Sequence, residues 1–494
     1  MRLAAEDRRR APAPGLAPAD SPQPACELLS CLRKGNFALR ATLPLLSEFP
    51  TAFFMRKTKS LILFAAIAPL VSCVSYEANP LNLGTETQSW VEGSETLAKG
   101  FPTLSFSDAQ LLGLAFNPEL NRARIRLAKS RDVEKQSGWW EDPSVSFGLK
   151  RVLNSGSQPW AYTPSVGLTI PVTGLPGLAE EAAAHYSESD AWTLVQAEFD
   201  FRNSFAALWI DYAVTAEKLR VTEAYLAKLV KEKAKLEKLF VLGEISAGEM
   251  QKESDRLNAA AAEKRDLDFS AVELRARIVR ELGLAPRIAH EIQFSAHLPE
   301  SIPAPVPSPT PEQLAGLPKI RAALALYAAS ETALKTEIRR QYPELSLGPS
   351  YEIDGNDKFE DSLTLGIGFS LPAWNRNRVG IANASGERAL VRHETLILWQ
   401  EQFHALRRLE REQKIAEAHC REQARRTEEF RERIRKIYAE IDAGETLPTV
   451  LSEAAQQHFA AELANCDALG DYLKSRIRIL ALKISEPKST DSKQ

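Results

Sequence analysis

The segment PSVSFG at residues 143–148 returns as PELSLG at residues 343–348, 200 residues further along the chain. Three more pairs of segments keep the same separation to within one residue. They are NPEL at 117–120 with LPKI at 317–320, TIP at 169–171 with SLP at 370–372, and LGE at 242–244 with AGE at 443–445. The second half of the chain is therefore a diverged copy of the first, and each copy is longer than the roughly 20–50 residues of a solenoid repeat.

Each copy contains two strand-length segments in which apolar side chains alternate with small, weakly polar ones. In the first copy they begin at Ser144 and at Ser165, and in the second copy at Leu345 and at Ser362. Such alternation is typical of membrane-barrel strands, which present apolar side chains to lipid and polar ones to the lumen. It also fits a soluble antiparallel sheet with one wet face, and the alternation does not separate the two. Nearby aromatic side chains suit interfacial girdles: Trp139, Trp140, Trp160, Tyr162, Tyr351 and Trp374.

A long run without glycine or proline follows each strand pair. The first extends from Leu178 to Leu242 and the second from Glu387 to Ala443. As helices they would measure about 98 Å and about 86 Å, at about 1.5 Å per residue. Helices of this length need partners along their whole length, which predicts long antiparallel coiled-coil hairpins that reverse at Gly243 and Gly444.

Prolines mark the boundaries of the remaining segments. Helical spacing of apolar residues predicts an opening helix in each copy, over 107–137 and over Glu312–Arg340. Pro171 and Pro372 lie where the strand period gives way to the helical period, and proline can both end a ladder and open a helix. Six prolines between Leu298 and Glu312 predict a stiff, extended linker.

The strand count constrains the assembly. Two strands in each copy give four in the chain, whereas the smallest single-chain outer-membrane barrels have about eight. Open sheet edges are not tolerated in lipid. If these strands cross a membrane, several chains must therefore share one barrel. The predicted fold class is mainly α with a small β part, built from a duplicated strand pair and long hairpins.

The N-terminal part resembles a bacterial lipoprotein signal. A basic segment, MRKTK at 55–59, precedes an apolar stretch that ends in LVSC at 70–73. We therefore expect residues 1–54 to be a mis-assigned extension, residues 55–72 to be the signal peptide and Cys73 to be the acylated residue, its lipid being the only cofactor. The alternative is an ordinary secretory signal that contains a cysteine. Val74 after the cysteine points to sorting to the outer membrane.

Composition argues against other classes of protein. The net charge of −3 indicates no nucleic-acid partner. The sequence contains no Walker loop, GxSxG elbow or HExxH motif. Its histidines lack the spacing of metal ligands. We expect no catalytic residue, no metal site and no enzymatic activity.

Together these features resemble the TolC-like outer-membrane efflux protein family. The resemblance covers about residues 90–484 and is most specific at LPAWNRNR (371–378) and YAEIDAGE (438–445). It implies a homotrimer with a shared trimeric β-barrel and an α-helical tunnel, anchored in the bacterial outer membrane and extending into the periplasm. It also implies docking on a periplasmic adaptor and on an inner-membrane pump, for which the RND type is expected. The Asn-Arg-Asn-Arg segment is reminiscent of channels for heavy-metal cations, with drugs as the other substrate class.

The resemblance also assigns roles to individual positions. The tips that contact the adaptor would be Leu242, Gly243, Glu244 and Ile245 in the first copy and Ala443, Gly444, Glu445 and Thr446 in the second. Pro171 and Pro372 would be swivels from tilted strand to helix. Some members carry acidic residues just after the second tip, but LPTVLS at 447–452 is neutral here. An acidic ring at the mouth is therefore not predicted.

Two cysteines lie in the second hairpin, 24 and 22 residues from Gly444. Cys420 and Cys466 would therefore sit at similar heights. We hypothesise that they form a disulfide in the oxidising periplasm. The alternative is two small buried apolar side chains.

The predicted organisation has seven parts: an extension (1–54), a signal peptide (55–72), a lipidated N-terminal segment (73–103), a first repeat (104–297), a proline-rich linker (298–311), a second repeat (312–484) and a disordered tail (485–494). The predicted function is that of an exit duct of a tripartite efflux pump. Two alternatives stay open. A type I secretion channel would share the fold, and a structural periplasmic coiled-coil lipoprotein would explain the lipid and the helices but not the paired strands.

Overall fold

The computed structural model describes residues 76–151, 160–354, 361–442 and 448–483. Several predictions fall outside these ranges: the extension 1–54, the signal peptide 55–72, the lipid site Cys73, the second tip Ala443, Gly444, Glu445 and Thr446, and the tail 485–494. The body from Asn82 onward contains every helix and strand described here. In the described ranges, no helix is long and apolar enough to cross a membrane.

The helices and strands are numbered in chain order. They are α1 (Leu83–Gly100), β1 (Thr103–Leu104), α2 (Phe106–Phe116), α3 (Pro118–Gln136), β2 (Ser144–Arg151), β3 (Trp160–Ile170), α4 (Leu175–Val241), α5 (Ala247–Glu281), a 3₁₀ turn (Pro286–His290), β4 (Gln293–Phe294), α6 (Pro311–Ala315), α7 (Pro318–Arg339), β5 (Leu345–Asp354), β6 (Ser362–Phe369), α8 (Arg378–Asp442) and α9 (Pro448–Leu480). The predominance of helix, with a small sheet, confirms the predicted fold class.

One hairpin from each copy contributes to a four-stranded antiparallel sheet in the order β2-β3-β5-β6. Residues paired across antiparallel strands share a face. The register pairs Val145 with Val166, Leu168 with Leu347, and Leu347 with Ile367. All the alternating apolar side chains therefore lie on one face of the sheet, and the small polar ones lie on the other.

The polar face has its own side-chain contacts. The hydroxyls of Ser146 and Ser165 are 2.6 Å apart across β2 and β3. Lys150 Nζ lies 3.1 Å from Glu352 Oε1 and so joins the first copy to the second across β3. The two faces thus differ in chemistry as the alternation predicted.

The two longest helices follow the sheet. Helix α4 has 67 residues and α8 has 65, so each is about 100 Å long. Near the sheet α4 packs against α3 and α7, and towards the tip it packs against α5 and α9. Its buried aromatic residues Phe201, Phe205 and Trp209 pack with the segments around α2 and β4. These contacts supply the partners that such a long helix requires.

The opening helix of each copy is broken, whereas the periodicity predicted one continuous helix. The first break lies between α2 and α3, at Asn117 and Pro118. Proline disfavours a helical conformation in the preceding residue, and its missing N–H suits the first turn of a new helix. Asn117 Oδ1 then accepts hydrogen bonds from the backbone N–H groups of Glu119 and Leu120, at 3.0 and 3.2 Å. Pro318 opens α7 in the second copy at the equivalent position.

Two segments gain structure that the sequence did not predict. Helix α1 is capped by Asn82, and its Trp90 Nε1 donates to the Gly283 carbonyl at 2.7 Å. The proline-rich linker lies along the second hairpin, where Tyr472 donates to the Pro303 carbonyl at 2.8 Å and Val306 is buried. Both segments are therefore fastened to the helical layer.

Replacement of Asn117 by Ala tests the cap between α2 and α3. A lost N-cap costs about 0.5–2 kcal/mol. We expect Asn117→Ala to fall in the upper part of this range, because the buried amide also donates to the Glu281 carbonyl at 2.8 Å. The apparent melting temperature in detergent should fall. Asn82→Ala removes an exposed cap and is the matched control, which should have the smaller effect. Equal effects of the two substitutions would contradict the importance of burial at the Asn117 cap.

Candidate functional sites

The sheet has two open edges and one uncovered apolar face. In the described part of the chain, β2 and β6 each pair on one side only. The apolar face is exposed, with Val145 80% and Leu363 77% accessible. Unpaired strand edges invite further strand pairing, and apolar patches of this kind mark interaction with lipid or protein. The sheet can therefore pair with further strands at both edges, and its apolar face can be covered by lipid or by protein.

The helical layer is open at corresponding places. Helices α3 and α5 pack mainly on α4, and α8 packs mainly on α7 and α9. These helices expose large apolar side chains, including Ile125 on α3, Phe269 on α5 and Ile415 on α8. Because α3 leads into the edge strand β2 and α8 follows the edge strand β6, the open sides of the helical layer continue from the open edges of the sheet.

The first tip is a tight reversal between α4 and α5. Gly243 has φ +77°, a conformation that glycine adopts without strain. Ser246 and Glu249 then form a capping box, in which Glu249 accepts from the Ser246 N–H at 2.7 Å. The backbone and hydroxyl hydrogen bonds from Ser246 hold the pKa of Glu249 below its usual value. Leu242 is exposed at this end, so Leu242, Gly243, Glu244 and Ile245 form the described tip.

The structure places the two prolines that were predicted to be swivels, Pro171 and Pro372, between strand and helix. Pro171 follows β3, and Gly174, with φ +73°, precedes α4. Pro372 follows β6, and two non-glycine residues, Arg376 and Asn377, adopt φ 48° and 51° before α8. The left-handed residues change the chain direction together with the prolines. In the first copy Gly174 could have signalled this change of direction. In the second copy Asn377 was a weaker signal, because asparagine tolerates the left-handed region, and Arg376 gave none.

A buried polar cluster connects α4, α5 and α9 in the half of the layer nearer the tip. Glu253 is only 1% exposed, and its carboxylate lies 3.1 Å from Arg256. Arg256 Nε donates to Gln456 Oε1 at 3.0 Å. Arg256 and Gln456 are 200 residues apart in the sequence and belong to different copies. Sequence reasoning missed this cluster, because a buried charge in a helix leaves no signal in the pattern of residues.

Two carboxylates of the cluster are not fully satisfied by hydrogen bonds. Glu253 Oε1 and Glu232 Oε2 are buried without a hydrogen-bond partner among the described atoms. Burial, with repulsion from Glu253, raises the pKa of Glu232. Burial also raises the pKa of Tyr225 to about 12, while the ring of Tyr225 stacks on Phe459 at 4.2 Å. An ionised Glu232, half-buried beside Glu253, should therefore cost stability.

The hypothesised disulfide is not formed, since Cys420 and Cys466 are both free and buried. Cys420 packs with Ala468 and Tyr472 between α8 and α9. Burial raises the pKa of Cys466 to about 12, and the carboxylate of Glu217 on α4 contributes. The two thiols thus have a similar height but different neighbours. Among the described residues, no group of three or more potential ligands could hold a metal ion.

Solved outer-membrane channels share this architecture. The outer-membrane protein VceC of Vibrio cholerae is 16% identical, with a TM-score of 0.65 over 76% of this chain and 95% of that chain. The channel CmeC of Campylobacter jejuni is 14% identical, with a TM-score of 0.63 over 90% of this chain and 94% of that one. The open MtrE channel of Neisseria gonorrhoeae is 14% identical, with a TM-score of 0.63 over 76% and 88%. No protein-family model and no curated protein matches the sequence. The chain therefore has the TolC-like fold that its sequence resemblance implied.

Replacement of Glu232 by Gln tests the buried cluster. Because the pKa of Glu232 is raised on folding, the folded chain binds this proton more tightly than the unfolded chain does. Stability should therefore fall as the pH rises above the ordinary value of 4.5. We expect Glu232→Gln to raise the melting temperature by about 1–3 °C at pH 8 and to have little effect at pH 4.

The control is Glu237→Gln, on the exposed side of the same helix. It should show no comparable dependence on pH. If Glu232→Gln is neutral or destabilising at pH 8, the ionised carboxylate of Glu232 is compensated and does not cost stability.

Proposed function

We propose that the chain is one protomer of a homotrimeric outer-membrane channel, the exit duct of a tripartite efflux pump. It would passively conduct substrates received from an inner-membrane transporter and a periplasmic adaptor. The observation that carries the proposal is the four-stranded sheet, which has an apolar outer face, two open edges and helices of about 100 Å continuing from it.

The chemistry of the sheet supports a place in the membrane. Its strands have 8 to 11 residues, close to the roughly 9–11 of tilted transmembrane strands. In hydrocarbon every backbone N–H and C=O must find a partner, so only a closed sheet can span. Three copies would place β6 of one protomer beside β2 of the next and would pair every edge. A structural lipoprotein that forms no channel would not be expected to expose such an apolar face.

The helices support a passage through the periplasm. The open sides of the helical layer continue from the sheet edges, so neighbouring copies can complete both layers at once. The tip at Leu242–Ile245 lies at the far end of α4 from the sheet, which is where an adaptor would be met. We extend the proposal to a lipid anchor at Cys73 and to an inner-membrane partner of the RND type. Heavy-metal cations or drugs are the proposed substrates.

A pair of neighbouring substitutions in β6 tests the membrane sheet. Leu365 lies on the exposed apolar face and Thr364 on the polar face. Arginine facing lipid near the bilayer centre costs about 2–4 kcal/mol, whereas a lumenal arginine is tolerated. Leu365→Arg should deplete the SDS-resistant trimer from the outer membrane. Thr364→Arg should assemble, form pores in planar bilayers and change their ion selectivity. Equal assembly of both variants, or a monomeric wild type, would refute a shared barrel.

A change at the tip tests the tripartite role. Leu242→Glu places a charge on an exposed apolar side chain of the tip and leaves Gly243 in place. We expect trimer yield and conductance to be kept, because the tip is remote from the sheet, while export and adaptor cross-linking fall at least tenfold. Glu263→Gln, partway along α5, is the control and should export normally. Full export by the Leu242→Glu variant would show that the tip is not needed for recognition of the adaptor.

A further inference from the structure

The place where the second copy passes from sheet to helix has an unusual surface. We define the second junction as residues 339–342 and 371–378, and the first junction as residues 137–142 and 171–176. Each lies at the end of the sheet that faces the long helices. If the sheet spans the outer membrane, both junctions meet the headgroups of the periplasmic leaflet. The position of the junctions at the membrane surface rests on the proposed function.

The backbone of the second junction is fixed. Arg376 and Asn377 both adopt left-handed conformations, which are costly for arginine and better tolerated by asparagine. Asn377 Nδ2 donates to the Glu337 carbonyl at 2.9 Å and to the Glu337 carboxylate at 2.6 Å. These bonds tie the strand-to-helix loop to the end of α7. The loop is therefore held against α7, and Arg376 on the loop and Arg378 at the start of α8 are both exposed.

The second junction has uncompensated positive charge. Arg340 lies 2.6 Å from the Glu337 carboxylate, which is thereby occupied. Arg339, Arg376 and Arg378 are exposed, and none of them forms an ion pair within the described ranges. Guanidinium groups match phosphate geometry and bind it through paired hydrogen bonds. Three free arginines at one site therefore fit a phosphate group.

Aromatic and apolar side chains accompany these charges. Trp374 is 90% exposed, and Leu371 and Tyr342 are also exposed. Tryptophan and tyrosine favour the membrane interface, where the ring contacts acyl chains and the polar edge reaches the headgroups. A free phosphate ion would need only the arginines. The combination with Trp374 and Leu371 favours a phosphate that belongs to a lipid.

The first junction supplies an internal comparison. It also exposes tryptophans, and Trp139 is 78% accessible. Its charged residues between α3 and β2 are Glu141 and Asp142. The two junctions thus occupy the same position in the two copies and share aromatic side chains. Glu344 lies beside the second junction, but the net charge there is positive, whereas that of the first junction is negative. The basic character belongs to the second copy specifically and is not a consequence of the fold.

We propose that the second junction is a binding site for an anionic phospholipid of the periplasmic leaflet, with phosphatidylglycerol as the simplest example. Arg376 and Arg378 contact the phosphate, Arg339 adds positive potential, and Trp374 packs against the glycerol and upper acyl region. One site in each protomer gives three in a trimer, separated by the acidic first junctions. The lipid would hold the swivel at a fixed depth in the bilayer.

Native mass spectrometry of the detergent-purified full chain tests the site, with added phosphatidylglycerol or with phosphatidylethanolamine of the same acyl chains. The wild-type trimer should retain up to three phosphatidylglycerol molecules in clear preference to phosphatidylethanolamine. A juxtamembrane arginine adds about 1 kcal/mol to binding of anionic lipid. The double variant Arg376→Gln with Arg378→Gln should therefore bind phosphatidylglycerol at least tenfold more weakly.

The matched control removes two exposed arginines elsewhere, Arg265→Gln on α5 and Arg411→Gln on α8. It should bind phosphatidylglycerol like the wild type. Trp374→Ala should weaken retention of both lipids. Equal loss in the control, equal binding of the two lipids by the wild type, or displacement of the lipid by millimolar inorganic phosphate would overturn the proposal. The same spectra report the mass of the protein, so failure to form a trimer is distinguished from a trimer without selective lipid.

Discussion

The requirement that every backbone hydrogen-bonding group find a partner governs this molecule. A four-stranded sheet leaves two edges unpaired, and in lipid an unpaired edge costs several kcal/mol for each open group. Three proposed features depend on that one requirement. Several copies must join, their helices must end in flanks that join at the same places, and the sheet and helices must share one axis. The proposed channel is the closed form of a sheet that cannot close alone.

Both copies supply the same set of elements to this architecture, but they differ in individual residues. Each copy contributes a strand pair, a broken opening helix and a long hairpin. The break is made by Pro118 in the first copy and by Pro318 in the second. The change from strand to helix uses Gly174 in the first copy, whereas the second uses the left-handed Arg376 and Asn377. The two copies therefore make the same change from strand to helix with different residues.

The sequence predicted those parts of the fold that depend on the local periodicity of apolar residues. Strand alternation and glycine-free helical runs are visible in any one segment, so β6 and α4 were found from the residues alone. Contacts between distant segments left no such signal. Helix α1 depends on the contact between Trp90 and Gly283, and a buried charge such as Glu253 looks like a solvated residue in the sequence. Cys420 and Cys466 show the same limit, because height along a hairpin does not fix the direction of a side chain.

Disulfide cross-linking between the two open edges tests the central claim most directly. Cysteine at Ser146 of β2 would be combined in turn with cysteine at Ser362, Thr364, Gly366 and Gly368 of β6, with Cys420 and Cys466 replaced by alanine. A shared barrel predicts that one or two neighbouring β6 positions give covalently linked trimers under oxidation. Pairs between Ser146 and Thr169, on the central strand β3, should give none. If no β6 position cross-links between chains, or if Thr169 cross-links equally well, the edges do not meet and the shared barrel is contradicted.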